Sequence, residues 1–114
     1  MAKWTIEDSR DLYNIRGWGS EYFDINSKGN VIIQPQNGSN HSIDLKELVE
    51  DIQAKGYSLP ALIRFSDILK ASISKLANAF GKSIKEYEYK GAYHGVYPIK
   101  VNQQRQVVEE IVKF

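Results

Sequence analysis

Apolar residues recur along this chain with periods that change from segment to segment. Leu69, Ile73, Leu76, Phe80, Ile84 and Tyr87 follow one another at steps of three and four, which places them on one face of a long helix with a kink or break expected at Gly81. Leu45, Leu48, Val49 and Ile52 form a shorter stripe of the same kind. Asp44 stands in front of it as an N-cap, Glu47 follows three positions on, Ile43 can staple onto Leu48, and Gly56 supplies the stop, so a helix is predicted over residues 45 to 55. After Asn102, Val107, Val108, Ile111 and Val112 share one side of a final helix that meets no Gly, Asn or Pro stop signal, which predicts a piece of something longer.

Elsewhere the spacing is that of strands and turns. "EYFDI" and "NVIIQP" flank "NSKG", a glycine-containing connection of hairpin length, which predicts two antiparallel strands with Pro35 ending the second. A polar loop, "QNGSNHS", follows. Near the start, Thr5 and Asp8 have capping-box spacing before a short helix or turn that ends at Gly17 or Gly19. "LPALIRF" is short, apolar and followed by Ser66 as a cap candidate, which suits a buried strand leading into the long helix. With a further strand over residues 95 to 101, the order from residue 59 onward reads strand, helix, strand, helix, the rhythm of an α/β structure with parallel strands. The change of context from the hairpin half falls at residues 36 to 42.

The 114 residues suit one small domain, and 15 basic against 14 acidic side chains leave a formal charge of +1. This balance does not mark a nucleic-acid or anionic-membrane protein, even though "KSIKEYEYKGAYHGVY" interleaves Lys and Tyr as single-strand platforms do. No apolar run approaches the roughly 18 residues of a membrane span, and "MAKWTIEDSR" lacks the apolar core of a signal peptide. The chain has no cysteine, hence no disulfide or thiolate metal site, and a cytoplasmic setting is expected.

One residue interrupts this ordinary picture. Lys100 sits in the otherwise uncharged apolar run from Val96 to Val101. A period of two puts it on one face with Val96 and Pro98, and Tyr97, Ile99 and Val101 on the other. If both faces of the strand are covered, the ammonium is partly desolvated and gives up its proton more readily, which suits a lysine that condenses with an aldehyde. The alternative is a surface lysine with its stem on apolar surface and its head in water. Pro98 supports this second reading, because it cannot donate to a ladder. Local pattern leaves both open.

"WTIEDSRDLYNIRGWGSEYFDIN", "LPALIRFSDIL" and "GVYPIKVNQQRQVVEEIV" together resemble the amino-terminal portion of the biosynthetic arginine decarboxylases, pyridoxal-phosphate enzymes of the alanine racemase and ornithine decarboxylase fold group. The resemblance implies an α/β fold, the start of a pyridoxal-phosphate-binding (β/α)8 (TIM) barrel preceded by an amino-terminal β-hairpin and helix segment that belongs with the family's β-rich domain. Residues 1–41 then form the hairpin segment, and residues 42–114 the helix and first βα units of the incomplete barrel. It also implies that Lys100 carries the cofactor as a Schiff base, that L-arginine is converted to agmatine and carbon dioxide in polyamine biosynthesis, and that the full-length enzyme uses Mg2+ and is a homo-oligomer. The phosphate cradle, the partner of the pyridine nitrogen and the groups that hold the guanidinium are expected later in a longer chain, so these 114 residues alone are expected to be inert. A decarboxylase of another basic amino acid, a non-catalytic pyridoxal-phosphate barrel and a small αβ interaction module are the competing readings.

The remaining candidates are weaker. His94 has the same strand parity as Lys100 and could face the cofactor, or lie exposed at a core edge. His41 falls in the polar loop, and two histidines so far apart make no metal site. Arg64 could meet a phosphate or carboxylate, or serve in capping or an ion pair, while Arg16, Trp18 and Trp4 are best read as anchors of the amino terminus.

Overall fold

A computed structural model describes residues 3–19, 21–34 and 41–114. They form two compact units, Met1–Arg64 and Phe65–Phe114.

In the first unit, helix α1 spans Ile6–Leu12 and starts at the expected capping box. The Thr5 N–H donates to Asp8 Oδ2 at 2.7 Å and the Asp8 N–H to Thr5 Oγ1 at 3.2 Å, so each residue satisfies an amide that the helix leaves open. A one-turn helix, α2 (Ile15–Trp18), follows. Strands β1 (Phe23–Ile25) and β2 (Val31–Ile33) form the expected hairpin, with Phe23 opposite Ile33 and Ile25 opposite Val31. Its turn is built by Asn26, whose side-chain oxygen accepts from the amides of Lys28 and Asn30, both at 3.0 Å, and by Gly29 at φ +84°.

A third strand, β3 (Ile43–Asp44), pairs antiparallel with β2 and runs directly into helix α3 (Leu45–Ala54). Asp44 is the N-cap, as its spacing predicts: Oδ1 accepts from the amides of Lys46 and Glu47 at 3.0 and 3.2 Å. Its other oxygen accepts from the side-chain amides of Asn26 and Asn30 at 2.8 and 2.9 Å, which ties the start of α3 to the hairpin turn. Glu47 does not close a capping box but pairs with Lys28 at 2.8 Å. Because β3 and Asp44 bind this helix to the hairpin, the compact units divide at residues 64 and 65, whereas the change of sequence context lies at residues 36 to 42. Most of the loop read there, and Pro35, fall outside the described residues.

The core of this unit is small. Ile15, Ile25, Ile32 and Ile33 are buried, Ile33 completely, at the centre of the sheet. Arg10 closes one side of it by donating from Nε and Nη2 to the two oxygens of Asp24, at 2.6 and 2.9 Å, and from Nη2 to the Ile25 carbonyl at 2.9 Å. Its remaining nitrogen, Nη1, pairs with Glu7. This bidentate geometry joins α1 to β1.

The second unit is helical. The long helix α4 covers Ser66–Glu86, with Phe65 rather than Ser66 at the N-cap position, and it runs through Gly81 without a break. Helix α5 (Arg105–Lys113) packs against it. Phe114 lies under the ammonium of Lys70 at 5.5 Å, and Glu110, held below the usual carboxylate range by Lys113 and then by the Ser66 hydroxyl, links the two helices. No side chain in this unit is buried among the described residues.

The strands expected at residues 59–65 and 95–101 do not form. The first is irregular chain, and the second is irregular chain that closes into a 3-10 turn at Ile99–Val101. A strand needs a neighbour to take its amides and carbonyls, and neither segment has one among the described residues. The observed architecture is thus mixed helix and three-stranded antiparallel sheet, an α/β chain without the parallel βα rhythm read from residue 59 onward.

Candidate functional site

The segment that carries Lys100 is held at two points. Pro98 and Asn102 both have extended backbone angles, and between them the Val101 N–H donates to the Pro98 carbonyl at 3.0 Å, folding Ile99, Lys100 and Val101 into a single turn. The fold-back brings the Tyr97 hydroxyl to the Asn102 carbonyl, to which it donates at 3.3 Å. Asn102 then accepts from the Gln104 N–H at 3.4 Å, one residue before α5 begins.

Lys100 is exposed at the outside of this turn and has no ion-pair partner among the described residues. The partly desolvated lysine that a covered strand would produce is therefore not what the structure contains: Val96, which was expected to share its face, is 87% exposed. The geometry provides an accessible primary amine on a short, closed turn. Such a side chain can be reached by a carbonyl compound or an anion without first being uncovered.

An apolar groove of about 420 Å³ is lined by Leu69, Ile73, Leu76 and Ala77 of α4, by Tyr93, Gly95, Val96 and Tyr97 of the connecting segment, and by Ile111 of α5. One wall is continued by Phe80, stacked on Tyr93 with centroids 4.4 Å apart and planes 7° from parallel. The lining offers a hydrophobic seat and no cradle of amides or cations for a phosphate.

The other sequence candidates have their own settings. His94 is exposed and no hydrogen bond joins it to Lys100. His41 and Arg64 belong to the first unit, and each is engaged with a neighbour. Arg16 pairs with Glu7 and Asp11, the Trp18 indole donates to the Tyr13 carbonyl at 2.9 Å, and the Trp4 indole donates to Ser9 Oγ at 2.8 Å, so all three anchor the amino-terminal helices. Among the described residues no three His, Asp or Glu side chains converge as a metal set. Sequence reasoning passed over Tyr97 and Asn102, because strand parity put Tyr97 on the face opposite Lys100. The signal that could have found them is the Pro98 between Tyr97 and Lys100, which disfavours a paired strand and permits a turn.

The chain is 57% identical over 114 residues to the biosynthetic arginine decarboxylase of Gloeobacter violaceus, 52% over 112 residues to that of Phocaeicola vulgatus, and 50% over 114 residues to that of Citrifermentans bemidjiense. These matches cover 98 to 100% of this chain and 18% of the length of each relative. No family model matches it. Along its whole length the chain is thus homologous to a segment of the proteins that bear this name.

Proposed function

We propose that the chain is the amino-terminal segment of a pyridoxal-phosphate-dependent enzyme that decarboxylates L-arginine to agmatine in polyamine biosynthesis, and that Lys100 is the residue that tethers the cofactor. The observation that carries the reading is the 47 to 57% identity to biosynthetic arginine decarboxylases in a chain whose one lysine within an apolar run is exposed on a closed turn.

The residues present fit the tether and nothing more of the cofactor site. Lys100 is exposed and has no ion-pair partner among the described residues, which leaves it open to a carbonyl compound. Bound pyridoxal phosphate would supply an electron sink for the carbanion left when carbon dioxide departs. Tethering the amine to the protein beside the bond it must re-form raises its effective concentration there, which is the contribution Lys100 makes. His94 is a candidate to line the same site. Mg2+ has no donor set among the described residues, so no step is assigned to it.

The unfinished second unit fits the same reading. Leu62, Val96, Ile99 and Val101 are 75, 87, 54 and 76% exposed, as expected of β-branched and apolar residues whose neighbouring strands are supplied by the rest of a (β/α)8 barrel. In that setting the segments at 59–65 and 95–101 become barrel strands, and the full-length protein is the unit that assembles and turns over.

The test is the release of carbon dioxide from L-arginine, L-lysine and L-ornithine by the longer protein. Arginine preferred over both supports the reading. A preference for lysine or ornithine moves the chain to a decarboxylase of another basic amino acid. Retention of cofactor with no turnover of any of the three identifies a non-catalytic barrel.

A further inference from the structure

In the first unit the amino-terminal helices leave a band of large apolar side chains uncovered: Trp4, Leu12, Tyr13 and Trp18 are 63, 64, 65 and 54% exposed. The band is continuous. The Trp4 indole donates to Ser9 Oγ at 2.8 Å, the Tyr13 N–H donates to the Ser9 carbonyl at 3.0 Å one helical turn on, and the Trp18 indole donates to the Tyr13 carbonyl at 2.9 Å. Both indole N–H groups are thus used inside the unit, and the rings offer only carbon to a partner. Glu7, Asp11 and Arg16 on the same helices are paired with one another. The Tyr13 hydroxyl has no partner among the described residues, so the face fits an apolar surface that carries a hydrogen-bonding group opposite it. Resting on the reading of this chain as a segment of a longer protein, we propose that this band is where the first unit docks onto the part of the same polypeptide beyond Phe114.

The sheet offers no such seat. β1 is an edge strand, and because Tyr22 and Asn26 bond across to Gln34 and Asn30, the outward-facing backbone groups are those of Phe23 and Ile25. Three of these four groups are taken within the unit: the Phe23 N–H donates to the Gly19 carbonyl at 3.1 Å, the Ile25 N–H donates to Asp24 Oδ1 at 2.7 Å, and the Ile25 carbonyl accepts from Arg10 at 2.9 Å. A strand added here has to break them. At the other edge β3 has only two residues before α3 begins. Size selects the occupant of the band. Four side chains of this kind, each a little over half exposed, present on the order of 400 Å² of apolar surface, about half of the roughly 800 Å² that each partner of a free-standing complex buries. That is too little to hold a second copy. It suffices within one polypeptide, where linkage sets an effective concentration of about millimolar. The matched segment is 18% of the length of each relative, so a protein of that length has the further chain to supply the surface.

The experiment places the photoreactive residue benzoylphenylalanine at Leu12 or at Tyr13 of the longer protein, irradiates it and maps the cross-linked peptides. Both positions are exposed, so neither substitution enters the core, and either variant reads the same face if the other fails to fold. The expected result is a cross-link to a peptide beyond Phe114 of the same chain, with a yield unchanged by about tenfold dilution and lost on unfolding in urea. Cross-links that join two copies, or that capture a separate protein, overturn the proposed occupant. Cross-links confined to the first 114 residues, or none from either variant, overturn the docking face. Arginine turnover by the wild-type protein is measured alongside. The cross-link beyond Phe114 in a protein that turns over no arginine overturns the decarboxylase reading and leaves the docking face standing, whereas turnover without that cross-link overturns the docking face alone.

Discussion

Ile33→Ala should unfold much of the first unit while leaving the helical second unit unchanged. Ile33 is completely buried on the central strand of the sheet, with Phe23 opposite it on β1 and Ile43 opposite it on β3. Truncating such a side chain costs about 2 to 5 kcal/mol, the lost transfer energy plus a cavity the neighbours only partly fill. A unit of this length, Met1–Arg64, has a total stability of roughly 3 to 10 kcal/mol at ~0.05 to 0.15 kcal/mol per residue. The loss is therefore a large share of what is available, and the low end of the range leaves a mixture of folded and unfolded chains in buffer. Ile33→Val should cost only about 0.5 to 1.5 kcal/mol. Both tryptophans lie in this unit, and Trp18 is tilted against Phe23 with ring centroids 5.3 Å apart, so tryptophan fluorescence in a urea titration reports on the affected core. A Tyr97→Phe or Lys100→Ala protein measured in parallel should keep the wild-type fluorescence midpoint. An Ile33→Ala midpoint close to that of wild type would refute the claim that this sheet is the organising core of the unit.

Acid should act on the same unit in a defined window. The Asn30 amide, followed by the cap amides and Asn26, holds the Asp44 carboxyl below its ordinary 3.8, and Arg10 and then Arg16 hold Glu7 below 4.5. Asp24 is pushed up by partial burial but ends below 3.8, because the Arg10 hydrogen bond, the Ile25 amide and the charges of Arg10 and Arg16 together outweigh it. Lowered carboxyl pKa values contribute stability that is complete above the unfolded values and is lost as pH falls through the folded ones. The urea midpoint should thus be flat from neutrality down to the 4.5 of Glu7 and decline below it, and a decline between pH 8 and 6 would contradict the ion-pair account. Gly29→Ala should destabilise the hairpin by about 1 to 2 kcal/mol, because Gly29 has φ +84° with nothing within 4 Å of an added Cβ, so the cost is backbone alone. Gly29→Asn should cost less, and an alanine variant as stable as wild type would mean that the turn relaxes. Lys100→Ala should leave the unfolding curve of the chain superimposed on that of wild type while removing arginine turnover from the longer protein. A destabilised Lys100→Ala would make the lysine structural.

What the sequence made legible was local. The Thr5 and Asp8 capping box, the hairpin around Gly29, the Asp44 cap and the helices after residues 65 and 104 all depend on residues within a few positions of one another, and all are present. The misreadings involve partners that are distant or absent. "LPALIRF" and "VYPIKV" have the composition of buried strands, but a pattern of apolar residues says that a face wants covering and not what covers it, and in this chain neither finds a ladder. β3 was overlooked because two residues have no period; they become a strand only through Ile32 and Ile33 across from them. Gly81 was expected to kink α4, yet a glycine in a helix lowers stability without altering geometry when nothing inserts into the hydrogen-bond ladder, and the helix continues. At the site, Lys100 was visible as a charge in an apolar run and became a tether only through the resemblance. Its exposure, and the Tyr97 to Asn102 bond across it, required coordinates.

The measurement that bears most directly on the central claim is borohydride reduction of the longer protein with pyridoxal phosphate bound, followed by peptide mapping. The account predicts a pyridoxyl group on the Lys100 peptide and its disappearance in Lys100→Ala. Label on a different lysine, with the Lys100 peptide unmodified, would contradict it.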